Sequence, residues 1–458
     1  MRMLIRFSVE NWMSFRDRST LSLLATRERQ HGERVPVATA YGARILPIGV
    51  IYGGNASGKT NLFKALNFVR EFVLRGTSPE GLIGVDYYRL DPELSGQPCK
   101  FVLEMLADEI VYEFSFSATK EKVLAERLIQ KAKTTNKVLY SRSPGEPISF
   151  GESVDREDEA LKYASQGTRD NQLFLHNSVS QKIDRFKAVY DWFKQLTLVA
   201  PDTRFGNLVN ALDEQDPPYS AMNRILPLLD TGIAHLGGES IPFESLDMAD
   251  SDKARLNEGV KEGTTVGLAK VGPGSSFELY EVTRKSGELV AKKLHTYHLR
   301  SDGSTAKFEF RQESDGSQRV IHLLPVFLEA AVAGSKRVFV IDEINRSLHT
   351  LLTRRLIEAY LSNCSTISRS QILATTHDVL LMDQDVLRRD EMFVTERDPS
   401  GASRLYSLSE FKDVRYDKDI RKSYLQGRLG GVPRLLLYSL PSMDQGREEG
   451  KGVNEDVR

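Results

Sequence analysis

The chain has 458 residues, longer than one domain of roughly 150, so two or three packed units are expected. Its 62 Lys and Arg balance 63 Asp and Glu to a formal charge of -1, which gives no global electrostatic case for a nucleic-acid or acidic-membrane binder and leaves only local basic patches. Hydrophobic residues at 40% and charged residues at 27% exclude the regime of intrinsic disorder and supply enough apolar surface for a large core.

The opening MRMLIRFSVENW reaches Glu10 before any apolar run of signal-peptide length, and no stretch of about 18 apolar residues follows anywhere, so neither secretion nor membrane spanning is expected. Alternating apolar and polar residues in MLIRFSVENWMSF and then STLSLLAT predict two paired strands. The run from Ile45 to Tyr52 is continuously apolar and ends at a Gly pair, which predicts a parallel strand buried on both faces. From Asn61 to Leu74 the spacing of Leu62, Ala65, Leu66 and Val69 predicts a helix. Alternation from Lys100 to Leu128 predicts a hairpin or meander, and the basic run Ala125 to Arg142 reads as a solvated helix face.

Between about 155 and 240 the pattern is helical, clearest in SQKIDRFKAVYDWFKQL, with a loop at DEQDPPYS. Short alternating segments return at 262–311, followed by a helix in RVIHLLPVFLEAAVAG and a buried strand in KRVFVIDE. From Pro441 the chain is polar and Gly-rich, which predicts a disordered tail over 441–458. No internal repeat or heptad run occurs. Cys99 and Cys364 are too few and too distant for a disulfide framework or a zinc knuckle, so a reducing, cytoplasmic location is expected.

The chemistry concentrates at three places. Gly53-Gly54-Asn55-Ala56-Ser57-Gly58-Lys59-Thr60 satisfies G-x-x-x-x-G-K-[ST] between a predicted strand and a helix, with Asn61 next to it. In such a loop the backbone N–H groups and the helix N-terminus cradle phosphates, Lys59 reaches the β- and γ-phosphates of ATP, and the Thr60 hydroxyl ligates Mg²⁺. Val338 to Ile341 deliver Asp342 and Glu343 to a strand end, a Walker B pattern in which Asp342 holds Mg²⁺ and Glu343 polarises water as general base. Downstream, Ala374-Thr375-Thr376-His377-Asp378 follows a predicted strand and puts His377 where it reaches a γ-phosphate; the other histidines are read as structural.

With these pieces in order, the chain resembles the ABC-type ATPase heads, the group that includes the SMC and OLD ATPases. The resemblance implies an α/β fold, a P-loop NTPase with a mixed central sheet and an inserted helical lid. Residues 1–150 would form the N-terminal half with Walker A, 151–260 the helical, partner-binding insertion, and 261–440 the C-terminal half with signature, Walker B and switch histidine. In such heads a second protomer's signature caps the γ-phosphate in trans. Ser314 and Gly316 of Glu313-Ser314-Asp315-Gly316-Ser317-Gln318 are the matching positions, although the stretch departs from Leu-Ser-Gly-Gly-Gln. Asn345-Arg346-Ser347-Leu348-His349 takes the D-loop position, with His349 where Asp is commoner, and Glu104 is the candidate for the Q-loop residue.

More narrowly, IRFSVENWMSFRD, GGNASGKTNLFKAL, ESDGSQR, VIDEINRSLH, TTHD and the stretch Tyr424-Leu425-Gln426-Gly427-Arg428-Leu429-Gly430-Gly431-Val432-Pro433 together resemble the RloA-like ATPases of abortive-infection systems, relatives of the ATPase subunits of PARIS, Septu and retron defence. The same C-terminal stretch also reads as a structural staple. The resemblance implies a homodimer or higher homo-oligomer, ATP and Mg²⁺ as cofactors, a separately encoded effector nuclease of Toprim or HNH type, and a phage protein or DNA as trigger. Asp383-x-Asp385 imitates a Toprim metal pair but falls at a predicted helix start and is read as structural. Two other classes compete: a DNA-repair or chromosome-maintenance ATPase of SMC or RecF type that binds DNA directly, and a scaffold that binds ATP to oligomerise without turnover.

Overall fold

A computed structural model describes residues 2–39, 41–155, 158–201, 217–271, 277–411 and 419–432. The expected tail at 441–458 and the start of the DEQDPPYS loop lie outside the described residues. Strands β1 (Arg2–Glu10) and β2 (Ser19–Ser22), the short pair β3 (Val37–Ala38) and β4 (Ala43–Arg44), and β5 (Ile48–Tyr52) lead through the glycine loop into α1 (Lys59–Arg75). A meander follows: β6 (Cys99–Ala107), β7 (Ile110–Ala118), β8 (Val123–Lys131), β9 (Lys137–Arg142) and β10 (Ser149–Phe150). Next come α2 (Glu159–Gln166), α3 (Phe174–Ser180), α4 (Lys187–Lys194), β11 (Leu196–Val199) and α5 (Pro217–Ile225). After these come β12 (Ile233–Pro242), α6 (Asp250–Gly259), β13 (Thr265–Val271), β14 (Phe277–Lys285), β15 (Glu288–Leu299) and β16 (Thr305–Glu309). The chain continues as α7 (Asp315–Ala331), β17 (Val338–Ile341), α8 (Thr350–Ser362), β18 (Gln371–Thr376), β19 (Met392–Arg397), β20 (Ser403–Ser407) and α9 (Ile420–Leu425).

The central sheet runs β11-β17-β18-β5-β19-β20, parallel except for the β19–β20 pair. Its strands read as unbroken apolar runs because both faces are covered. Ile48, Val50 and Tyr52 of β5 enter the core shared with α7 and α8, whereas Ile51 enters the core shared with α1 and the second sheet. That second sheet, β10-β9-β8-β7-β6-β1-β2, is antiparallel. Gln371, wholly buried, joins the two sheets by accepting from Leu4 N at 2.8 Å and donating to Leu4 O and Leu46 O. A third sheet, β12-β15-β14-β13 with β16 on β15, closes over a small core of Phe243, Leu246, Val282 and Ala291.

Three segments differ from the sequence reading. The run Ala125 to Arg142 forms strands β8 and β9, not a helix face. The span 151–260 contains helices but also β11, a strand of the central sheet paired in parallel with β17, and β12 of the third sheet. Its helices α3 and α4 put Phe174, Leu175, Val189, Trp192 and Phe193 into the same core as α1. Asp383 lies in a turn and pairs with Arg354 at 2.5 Å, so the metal-pair imitation is taken up by a local ion pair. Among the described residues no helix is long and apolar enough to cross a membrane, and both cysteines are free thiols.

Candidate nucleotide site

Strands β5, β18 and β17 are parallel neighbours, so the glycine loop, His377 and Asp342-Glu343 all emerge at one edge of the sheet. Carboxyl ends of parallel strands are where open α/β sheets bind ligands. The loop leaves Tyr52 and turns into α1 at Gly58, whose φ of +112° and a hypothetical Cβ only 2.4 Å from Ser403 Oγ both demand glycine. Ala56 is also left-handed at φ +60°. Lys59 crosses back over the loop, its Nζ donating to Gly53 O at 2.7 Å and Gly54 O at 2.9 Å. Burial lowers the Lys59 ammonium pKa, and the negative charges of Asp342 and Glu343 oppose that shift.

The loop is packed from two sides. Ser57 Oγ lies 2.6 Å from Thr395 Oγ1 of β19. On the other side the N-terminal turn grips the start of α1, with Asn61 Nδ2 donating to Ser14 Oγ at 2.8 Å and Trp12 Nε1 donating to Asn61 O at 3.0 Å. The loop opens on a cavity of about 630 Å³ lined by Asn55 to Asn61, Glu343, Met13, Ser14, Tyr87 and Arg397 among others. That volume suits a nucleotide-sized ligand.

Asp342 is 1% exposed, and Thr375 Oγ1 donates to its Oδ1 at 2.5 Å. The same Thr375 hydroxyl accepts from Glu343 N at 2.8 Å. Glu343 adopts φ +50°, a left-handed backbone costly for this residue type, and its side chain lines the cavity. Arg319 of α7 braces the turn from behind, with its guanidinium 3.4 Å from Ala200 O, Asp342 O and Glu343 O. Asp342 Oδ2 has no partner despite full burial. An orphaned, buried carboxylate oxygen on a residue whose charge is felt at Lys59 fits a divalent cation that Asp342 and Thr60 would hold. Among the described residues no group of three or more His, Cys, Asp or Glu could hold a metal alone. A cation here would therefore complete its shell with phosphate oxygens and water, as Mg²⁺ does.

His377 is exposed at the end of β18, its Nε2 3.4 Å from Asn345 Nδ2, while Thr376 Oγ1 donates to Asn345 Oδ1 at 2.8 Å. The residues expected to form a signature lie elsewhere. Ser314 caps α7, its Oγ accepting from Ser317 N at 3.1 Å. A Cβ on Gly316 would stand 2.8 Å from Ser347 O. His349 caps α8 by accepting from Leu351 N at Nδ1, the capping task an Asp performs, which accounts for histidine at that position. Ser314, Gly316, Ser347 and His349 line a second cavity of about 520 Å³ that shares no lining residue with the first.

Glu104 does not serve as a Q-loop residue here. It is 2% exposed within β6, ion-paired with Arg6 at 3.0 Å and Lys131 at 3.2 Å, and lines neither cavity. Sequence reasoning passed over Thr375, although it stands inside the Ala374–Asp378 run, and over Arg319, one residue beyond the signature stretch.

Residues 48–383 match the family described as "AAA domain, putative AbiEii toxin, Type IV TA system". No curated protein matches the sequence. Among solved structures, the SMC head domain from Thermotoga maritima aligns at 14% identity, covering 88% of this chain and 98% of that one with a TM-score of 0.35. An SMC head bound to the C-terminal winged-helix domain of ScpA aligns at 9% identity over 88% and 97% of the two chains, with a TM-score of 0.33. The fold assignment stands on the strand order given above. Because the family match takes in well over half of the 458 residues and spans the phosphate loop, Asp342-Glu343 and His377, the chain belongs to this family of AAA ATPases.

Proposed function

We propose that the protein is a Mg²⁺-dependent ATP-hydrolysing subunit of a bacterial anti-phage, abortive-infection system, assembled as a homodimer or higher homo-oligomer in the cytoplasm. In this reading it belongs with the RloA-like group, holds or releases a separately encoded nuclease or toxin effector, and responds to a phage protein or DNA. The observation that carries the composite-site part is the separation of the two cavities. The phosphate loop and Glu343 line one, Ser314, Gly316 and Ser347 line the other, and no residue is common to both. A signature that lines a different cavity from its own phosphate loop is usable only by another copy, so two chains would pair each loop with the partner's signature.

Bound Mg²⁺·ATP supplies the electrophilic γ-phosphoryl group and neutralises its charge. The chain's own groups divide the rest of the work. The loop N–H groups and Lys59 bind and orient phosphate oxygens. Glu343, fixed by Thr375 and Arg319, accepts the proton of an attacking water, and His377 donates to the γ-phosphate. The abortive-infection toxin association in the family description supports the defence setting.

The test is mass measurement on the Glu343→Gln variant, co-expressed with the product of the neighbouring gene, with and without ATP. An ATP-dependent co-complex of two or more copies with that product is expected. A species that gains mass only on added DNA would overturn the effector reading in favour of DNA maintenance, and a monomer in both conditions would overturn the composite site.

A further inference from the structure

We propose that the C-terminal turn ending at Gly431, anchored by Tyr424, is a positioning element of the nucleotide site, fixing the start of the phosphate loop through its backbone. The inference rests on the nucleotide-binding reading of the loop and goes beyond it.

The motif Tyr-Leu-Gln-Gly-Arg-Leu-Gly-Gly has a conformational cause at each glycine. Helix α9 ends with Gly427 at φ +73°, Gly427 N donating to Tyr424 O at 2.8 Å and Arg428 N donating to Ser423 O at 3.1 Å. This pair of bonds is the Schellman arrangement, which places a left-handed residue just past a helix end. Ile420, Tyr424 and Leu429 are at most 4% exposed and hold the segment in the core beside α8 and β19. Gly430 and Gly431 then follow at φ +66° and +70°. A Cβ on Gly430 would fall 1.9 Å from Tyr406 Oη, and one on Gly431 would fall 2.3 Å from Val394 Cγ1. Two successive left-handed glycines thus let bare backbone lie flat on β19 and β20.

The backbone so delivered touches the phosphate loop. Gly54 N donates to Gly431 O at 3.0 Å, and Tyr424 Oη donates to the same carbonyl at 2.8 Å. On its other side the Gly54 peptide is held by Lys59, whose Nζ donates to Gly54 O. Gly54 is therefore gripped at both N–H and C=O, the first by the C-terminal turn and the second by the ammonium that the site needs for phosphate. Thr395 completes the stack. Its hydroxyl meets Ser57, and its carbonyl would stand 2.6 Å from a Cβ on Gly53 and 3.3 Å from one on Gly431. Without the Gly431 carbonyl the Gly53–Gly54 peptide keeps only the Lys59 contact at Gly53 O, and the fraction of loops ready to bind phosphate falls. Apparent affinity falls in proportion to that fraction.

The experiment titrates the full-length chain with a fluorescent ATP analogue and Mg²⁺, at a temperature where circular dichroism shows every variant folded. Amide exchange at Gly54 is read in parallel. Tyr424→Phe keeps the ring and removes one donor to the carbonyl; Gly431→Ala strains the turn; exposed Arg428→Ala is the control. Loss of one neutral hydrogen bond corresponds to about two- to tenfold, so Tyr424→Phe is expected to weaken the analogue by that factor. Gly431→Ala is expected to weaken it by more, Gly54 should exchange faster in both, and Arg428→Ala should match wild type. If Gly431→Ala does not fold, Tyr424→Phe decides alone. Affinity and Gly54 exchange unchanged in the folded variants, whatever their melting temperatures, would overturn the proposal, since a purely structural turn alters stability alone. Failure of the wild type itself to bind would instead refute the nucleotide reading.

Discussion

Thr375→Val is the sharpest probe of the proposed hydrolytic role of Asp342-Glu343. Valine matches threonine in shape and replaces the hydroxyl with a methyl group, in a residue that is 2% exposed and touches no phosphate-loop atom by hydrogen bond. That hydroxyl donates to Asp342 Oδ1 at 2.5 Å and accepts from Glu343 N at 2.8 Å. A hydrogen bond to a charged group contributes roughly 1.5–3 kcal/mol and a neutral one roughly 0.5–1.5, so the substitution removes on the order of 2–4.5 kcal/mol. Part of that appears as lost stability. The part that holds Glu343 in its left-handed conformation appears at the chemical step. The bond to Glu343 N is the neutral one, so if its share of roughly 0.5–1.5 kcal/mol is lost there, kcat falls about two- to tenfold. Lys59 and its loop stand on β5, so affinity for ATP without Mg²⁺ should stay within about twofold, while the bond lost at Asp342 appears in stability and in Mg²⁺ affinity. Steady-state ATPase assays with a coupled phosphate readout, a nucleotide titration and a melting curve measure the three quantities, and Thr375→Ser should restore kcat. A folded Thr375→Val protein with wild-type kcat would refute the assignment of Thr375 and, with it, the role given to Glu343.

Two further outcomes follow from the packing. Gly316→Ala places a Cβ 2.8 Å from Ser347 O and pushes the Ser347–His349 segment aside; sedimentation should show an ATP-dependent dimer weakened about tenfold or more, or roughly 1.4 kcal/mol, with ATP affinity of the single copy unchanged. Burial, with help from the charge of Asp390, raises the Glu391 carboxyl from its ordinary 4.5 to about 7, although Arg34 lies 2.5 Å away and Arg388 N donates to it. Because the folded value is the higher one, this group's contribution is complete below about pH 4.5 and is lost as pH rises through about 7. Denaturant melts should therefore show Glu391→Gln gaining on wild type by up to about 3 kcal/mol from pH 4.5 to 8, and a pH-independent difference would contradict it.

What was legible in the sequence is what local periodicity encodes. The apolar run at Ile45 to Tyr52, the helix after Lys59 and the Asp342-Glu343 strand all show their burial in their own residues. The misread run at Ala125 to Arg142 has a physical reason: the β8–β9 register shifts between Leu128 and Ile129, placing two adjacent apolar residues where strand alternation requires one. Its Glu126 is also 1% exposed, accepting from Phe174 N, Leu175 N and Tyr140 Oη. Such a satisfied buried carboxylate depends on partners up to 49 positions away and leaves no local trace. Likewise β11 has only four residues, and its membership of the central sheet rests on pairing with β17, far along the chain. Tyr424 to Gly431 could be read as a staple from its glycines, but not what it staples, because Gly54 lies far away in sequence.

Helix α7 gives a reason why the proposed signature and the proposed general base Glu343 should respond together. Immediately before it, Glu313 accepts from Thr296 Oγ1 at 2.5 Å and lies 2.7 Å from His298 Nε2, so the third sheet holds the N-terminal end of the helix through β15. Its first turn presents Ser314 and Gly316 to the second cavity, and its next turn carries Arg319 to the backbone of Asp342 and Glu343. The helix core is almost wholly buried from Val320 to Phe327, and a close-packed helix moves as a body. A displacement of the signature therefore displaces the guanidinium that braces Glu343. In the paired arrangement proposed above, engagement of one copy's signature by its partner and placement of that same copy's general base are two ends of one rigid element. Binding at the first should then be read at the second without any change in the phosphate loop, which is held separately by β19 and the C-terminal turn.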